Sequence, residues 1–159
     1  MFRARPILLI LGVLLLVGGW LLWRNSQVVL SDEQQIANIL EDVRQAAQNQ
    51  SSSGVANFLA EDFSWGGQSK SGLRSQMNGA FIQFRDVTAN ISATVISIQG
   101  NEATARGNYA FSYRPAPRAD VESHRGQFKL QFAKRDGEWL IVKAEDIAGS
   151  GQRDASEGL

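Results

Sequence analysis

The spacing of apolar residues changes once along this chain, near Asp86, and that change limits the possible folds more than any other feature. Ahead of it the period is helical. Ile36, Ile39, Leu40 and Val43 form one apolar stripe, so residues 32–48 read as an amphipathic helix, and Ser31-Asp32-Glu33-Gln34 opens it as a capping box. Val55, Phe58 and Leu59 mark a short second helix that closes at Asp62, and Trp65 then plugs the core between helix and sheet. Gly66-Gly67 turns the chain, and Leu73, Met77, Ala80, Phe81 and Phe84 give a third helix over about 72–84. Behind Asp86 the period is two. Residues 86–99, 102–113, 122–134 and 138–146 are four strands, separated by Gly100-Asn101, by the loop RPAPRAD and by Asp136-Gly137.

Helices first and hairpin-connected strands after them imply an α+β domain, with three helices covering one face of a four-stranded antiparallel sheet. The third strand shows the two faces. Gly126, Phe128, Leu130 and Phe132 point one way, and Arg125, Gln127, Lys129 and Gln131 the other. If Tyr113 pairs with Glu122, then Phe111 faces His124, Tyr109 faces Gly126, Gly107 faces Phe128 and Ala105 faces Leu130. In that register no large side chain opposes another at those last three pairs, which avoids overpacking. The last hairpin leaves two registers open. A two-residue turn puts Trp139, Ile141, Lys143 and Glu145 on the Phe132 face, and a three-residue turn puts Leu140, Val142, Ala144 and Asp146 there.

The N-terminus gives an address. From Ile7 to Trp23 no charged or strongly polar side chain occurs, and at ~1.5 Å per helical residue this run spans roughly 25 Å, the short end of a ~30 Å hydrocarbon core. Trp20 and Trp23 suit the membrane interface, and Arg3 and Arg5 precede the run, so the positive-inside rule holds residues 1–6 in the cytoplasm. Residues 7–23 therefore read as a transmembrane signal anchor inserted in the lipid bilayer, 24–30 as a linker, 31–147 as an extracytoplasmic domain, and 148–159 as a disordered tail. The expected location is a bacterial cytoplasmic membrane, single-pass. Cleavage at Val17-Gly18-Gly19 is the alternative, and it leaves an apolar Trp-Leu-Leu-Trp start with no evident use.

The order of elements, the segment Phe58-Leu59-Ala60-Glu61-Asp62-Phe63-Ser64-Trp65-Gly66-Gly67, Gly72 at the third helix, and Gly137-x-Trp139 at the last strand together resemble the nuclear transport factor 2-like superfamily. The nearest resemblance is to its SnoaL-like, polyketide-cyclase-like bacterial branch. It covers roughly residues 31–147 and implies a cystatin-like, cone-shaped fold: a strongly bent sheet wrapped around the helices, with a pocket at the open end. That fold hosts isomerases, dehydratases, cyclases and many non-catalytic domains, so it does not decide function. Inner-membrane assembly factors of type IV secretion systems are similar in layout, with one N-terminal span and an exported domain.

Composition removes several chemistries. There is no cysteine, hence no disulfide, thiolate metal site, cysteine nucleophile or lipidated cysteine, and one histidine rules out a multi-histidine metal site. No cofactor motif is present, so no cofactor is expected. Sixteen basic and sixteen acidic residues balance, which gives no argument for nucleic acid. The expected pocket is lined by Trp65, Tyr109, Phe111, Tyr113, His124 and Phe128. The favoured function is a non-catalytic binding or assembly module that takes a protein partner or a small apolar ligand. The alternative is a small-pocket isomerase, dehydratase or cyclase using Asp62 and His124. A dyad of His124 with a carboxylate of the last strand is disfavoured, because that carboxylate lies opposite Phe128, roughly 13 Å along the strand. The plainer readings are a loop-capping Asp62 and a histidine stacked at a hairpin edge. The polar outer sheet face is the expected surface for a homodimer or a protein partner, and the basic loop around residues 114–125 for acidic groups.

Overall fold

The structure, a computed structural model, describes residues 30–147. The apolar run at 7–23, the linker before Leu30 and the tail at 148–159 lie outside the described residues. Among the described residues no helix is long and apolar enough to cross a membrane. Helices α1 (Asp32–Gln48), α2 (Ser52–Ala56) and α3 (Lys70–Gln83) combine with six strands: β1 (Leu59–Trp65), β2 (Gln68–Ser69), β3 (Arg85–Gln99), β4 (Glu102–Arg114), β5 (Glu122–Arg135) and β6 (Glu138–Asp146). The sheet order is β2-β1-β6-β5-β4-β3, with β1 parallel to β6 and every other pair antiparallel.

The class is α+β, but the sheet is six-stranded and mixed rather than four-stranded and antiparallel. The two additional strands come from the stretch expected to end a helix and plug the core. Only Ser52–Ala56 is helical there, capped by the Ser51 hydroxyl, which accepts from the Gly54 amide at 3.0 Å. From Leu59 the backbone joins β6 instead: the Ile141 amide donates to the Phe58 carbonyl at 2.9 Å, and Leu59 pairs with Ile141. A bulge between Leu59 and Ser64 disrupts the two-residue period, so the strand does not announce itself in the sequence. Phe63 is the residue that fills the core, whereas Trp65 is 39 % exposed. Gly66-Gly67 makes the turn as expected and leads into β2, and Ser69 caps α3.

The core collects Ile36 and Leu40 of α1, Leu59 and Phe63 of β1, and Ala103, Ala105, Phe132, Trp139 and Ile141 of the sheet. It is stapled at the β5–β6 turn. Asp32 at the first turn of α1 accepts from Lys134 Nζ at 2.6 Å and from Trp139 Nε1 at 3.0 Å. α3 buries no residue of its own; it lies against α2, β1 and β2, so its apolar stripe is only half covered.

The β4–β5 register is the expected one, from Glu102↔Ala133 to Tyr113↔Glu122. Its large-against-small pairing reaches contact distance. A Cβ on Gly107 would meet the Phe128 ring at 3.0 Å, and one on Gly126 would meet the Tyr109 hydroxyl at 2.7 Å. The open question at the last hairpin resolves into both answers in succession. Asp136 and Gly137, both at positive φ, form a two-residue turn, and Phe132 pairs with Ile141. A bulge at Val142 then shifts the register, so Leu130 pairs with Ala144 and Phe128 with Asp146. Inner-face residues are therefore Trp139 and Ile141 before the bulge, and Ala144 and Asp146 after it.

Phe132 is 1 % exposed at the centre of this core. Phe132→Ala is expected to cost about 3–5 kcal/mol, through lost transfer energy and an unfilled cavity, and Phe132→Leu markedly less. Urea unfolding followed by the fluorescence of Trp139, also core-buried, reads both.

Candidate functional site

The inner face of the sheet divides into a filled end and an open end. At the filled end, β5 supplies the bulk through Phe132, Leu130 and Phe128 over Ala103, Ala105 and Gly107 of β4. Past Gly107 the roles reverse: β4 supplies Tyr109, Phe111 and Tyr113 over Gly126, His124 and Glu122. No buried residue belongs to this second half. A cleft of about 440 Å³ opens here. Its lining includes the cross-strand row Ala89–Phe111–His124 with the residues flanking each, and Arg44 of α1 places it on the helix side of the sheet. Arg44 is fixed by its own contacts, donating to both Glu41 carboxylate oxygens at 2.8 and 2.6 Å and to the Ala89 carbonyl at 3.2 Å. The Arg44 and Gln45 side chains hold the Glu41 carboxyl down at about 2.

An aromatic cluster borders the cleft. Phe84, just past α3, stacks on Tyr113 with ring centres 3.8 Å apart and lies 6.4 Å from Phe111. Tyr113 in turn is parallel to the His124 ring at 5.9 Å. Gln50 ties Phe84 in place by donating to the Phe81 and Phe84 carbonyls at 2.8 and 2.9 Å. One carboxylate serves two of these rings: the Tyr113 hydroxyl donates to Glu122 Oε2 at 2.7 Å, and His124 Nε2 stands 3.9 Å from the same oxygen. That hydrogen bond stabilises the neutral phenol and pushes the Tyr113 pKa up, with burial adding to it. Deeper in, burial raises Tyr109, and the charge and hydrogen bonding of Asp146 raise it further.

The expected site residues thus separate. Tyr109, Phe111, Tyr113, His124 and Phe128 share the inner face of β4 and β5. Trp65 shares by alternation the face of Phe63, on the opposite flank of the sheet beside Ala144. Asp62 does not meet His124. It is held by both Arg135 nitrogens at 2.8 Å, at the other end of β5, roughly 35 Å of strand away. Arg135 lowers the Asp62 pKa, so this acid is an ionised surface partner. Sequence reasoning missed Arg44, Phe84, Glu122 and Asp146. The first two carried only helix signals. Asp146 was visible as one of two register outcomes. Glu122 is opposite Tyr113 in the expected register, but the candidate carboxylates read from the sequence are Asp62 at a helix end and those of the last strand. Among the described residues no three His, Asp or Glu side chains gather to hold a metal.

With this geometry established, the sequence matches the SnoaL-like domain family over residues 28–145. Comparison with curated proteins returns no match. Among solved structures, a candidate scytalone dehydratase from Novosphingobium aromaticivorans superposes with a TM-score of 0.66 at 18 % identity, covering 72 % of this chain and 82 % of that one. A nuclear transport factor 2-like superfamily protein from Salmonella enterica serovar Typhimurium gives 0.64 at 17 % identity, with 79 % and 96 % covered. A protein described as nuclear transport factor 2-like with a cystatin-like fold, from N. aromaticivorans, gives 0.61 at 14 % identity, with 75 % and 84 % covered. At these identities the likeness is one of fold, and the cystatin-like α+β architecture is the one these chains share.

Two outcomes test the electrostatics. The chain has only two tyrosines, so absorbance titration reads them directly. Both are expected to ionise above the ordinary value near 10, with Glu122→Gln lowering one transition and Asp146→Asn the other. The Asp62 pKa is depressed in the folded chain, so its ion pair stabilises above the unfolded value near 3.9 and is lost as pH falls through the folded value. Asp62→Asn should therefore lower the melting temperature at pH near 7 and leave it unchanged under strongly acidic conditions.

Proposed function

This chain belongs to the SnoaL-like domain family, and from that premise we propose that it is a membrane-anchored, exported binding module that holds a small, flat, largely apolar ligand in the mouth of its cone. The anchor reading rests on the apolar run at residues 7–23 and the arginines before it. The ligand reading rests on one observation: a cleft of about 440 Å³ over Phe111 and His124, in the size range of small-molecule sites. The neighbouring rings of Phe84 and Tyr113 are already stacked and so need little ordering on binding. Polar side chains frame the rings: Thr88, Asn90, Ser112, Ser123 and Arg125 line the cleft with Arg44, so the ligand carries a polar edge as well as an apolar face. Glu122, shared by Tyr113 and His124, accepts a hydrogen from a ligand hydroxyl, and Arg44 walls the far side.

A second reading is favoured by the Tyr109–Asp146 contact and by the dehydratase names carried by two structural neighbours. In it, Asp146 takes the proton α to a ligand carbonyl. The β-hydroxyl leaves as water with the Tyr109 proton, and Asp146 returns its proton to the phenolate across their contact. The Asp62–His124 version of catalysis has no geometric support, since the two ends of β5 keep them apart.

Fluorescence titration with 2-naphthol as a planar probe separates the readings. Phe111→Ala and Phe84→Ala should each weaken binding about threefold to tenfold, the equivalent of about 0.5–1.5 kcal/mol per ring contact, while Gln127→Ala on the other sheet face should not. Binding that survives both ring truncations sinks the mouth as the site. Loss of water from a β-hydroxyketone, followed by absorbance and abolished by Asp146→Asn with naphthol binding intact, would establish the catalytic reading instead.

A further inference from the structure

The middle of the outer sheet face carries an excess of positive charge, with Glu102 and Glu138 on the same face but nearer the hairpin ends. Arg106 on β4 lies directly opposite Lys129 on β5, and Arg125 stands two pairs further along, opposite Ala110. Like charges paired across strands are destabilising, so the arrangement works against stability unless something neutralises it. Within the sheet only Glu145 does so: it takes Lys129 at 3.0 Å and Lys143 at 2.6 Å, two cations on one carboxylate. Both lysines depress its pKa, so it is ionised and saturated. Arg106 and Arg125 are exposed, with no ion pair to another described residue, and the positions between them, Asn108 and Gln127, are neutral. Arg114, nearer the edge, is already paired with Asp86 at 2.8 Å.

We propose that this face docks on a bilayer surface of anionic phospholipid. A second copy is a poor occupant, because face-to-face packing would set cations against cations. A membrane is the occupant within reach. This step rests on the anchor reading: residues 24–31 separate the apolar run from α1, a tether of at most roughly 28 Å even when extended. At that distance a headgroup layer is presented to the domain continuously, and juxtamembrane cations gain from it within about a Debye length. Docking by the outer face leaves the inner-face rings of Phe111 and His124 turned away from the lipid, with Arg125 at the border between the outer face and the cleft.

The chain has no cysteine, so a single introduced one can be labelled cleanly. Full-length protein carrying a nitrobenzoxadiazole label at Gln127→Cys is reconstituted in phosphatidylcholine vesicles, with or without phosphatidylglycerol; Asn38→Cys on α1 is the control. Flotation with neutral vesicles reports the anchor alone, and the label reports the face. The expected result is a blue-shifted, salt-sensitive emission at Gln127→Cys in anionic vesicles only, with none at Asn38→Cys. Arg106→Ser and Arg125→Ser should each reduce the docked fraction about fivefold, and Lys at both positions should restore it. A chain that floats while the label stays silent overturns docking and leaves the anchor standing. A label that responds to anionic vesicles without flotation on neutral ones removes the anchor and keeps the face. Silence in both removes both. A stronger response to added polyglutamate than to phosphatidylglycerol overturns the lipid in favour of an acidic protein surface.

Discussion

The pairing of rings with glycines across β4 and β5 is the constraint on which the rest of this domain depends. Phe128 lies over Gly107 and Tyr109 over Gly126, each at a distance where an added methyl would collide. These contacts lock the register, since a slip of one residue would turn every inner side chain outward. They also mark the crossover at which bulk passes from β5 to β4. On one side of it Phe132 and Leu130 pack into the core with Ile36 and Leu40 of α1; on the other the rings of Phe111 and Tyr113 pack on Phe84, just past α3, and stay half-buried. The division of the sheet's inner face into a packed end and an open end is therefore already present in the hairpin. α1 covers one part and α3 drifts to the β1–β2 flank, leaving the other part exposed.

Much of this was readable in the chain. The helix at 32–48 and the four long strands follow from period alone, and the β4–β5 register follows from matching large side chains with small ones. β1 was not readable. Its apolar residues Leu59, Ala60 and Phe63 are spaced by a bulge rather than by alternation, and its partner, β6, is remote in sequence. A helical spacing at Val55, Phe58 and Leu59 was locally consistent, and tertiary pairing overrode it. Trp65 follows from the same displacement: once Phe63 occupies the core, the indole two residues on is pushed toward the rim.

The mouth was half legible. Alternation placed Tyr109, Phe111, Tyr113 and His124 together, because side-chain direction on a regular strand is fixed by parity. Arg44 and Phe84 reach the same place from elements whose relation to the sheet is tertiary. The choice of Asp62 as a partner for His124 failed for a topological reason. As a strand residue rather than a helix end, it runs along β6 at the packed base, where Arg135 captures it. The acidic, glycine-rich stretch around it specifies how the chain enters the sheet and says little about a reaction.

The bulge at Val142 shows how one irregularity can assign chemistry. With the two-residue turn and no bulge, Lys143 would face Leu130 and Glu145 would face Phe128, placing an ammonium on the inner face and leaving Lys129 without its outer partner. The extra residue turns that segment over. Ala144 then completes the packing against Leu130, Asp146 reaches Tyr109, and Glu145 with Lys143 moves outward to the cationic face. Two adjacent carboxylates are thereby sorted to opposite sides of one sheet, the inner one beside Tyr109 and the outer one between two lysines. Strand period alone cannot express that sorting, which is why both registers were individually reasonable and neither alone was correct.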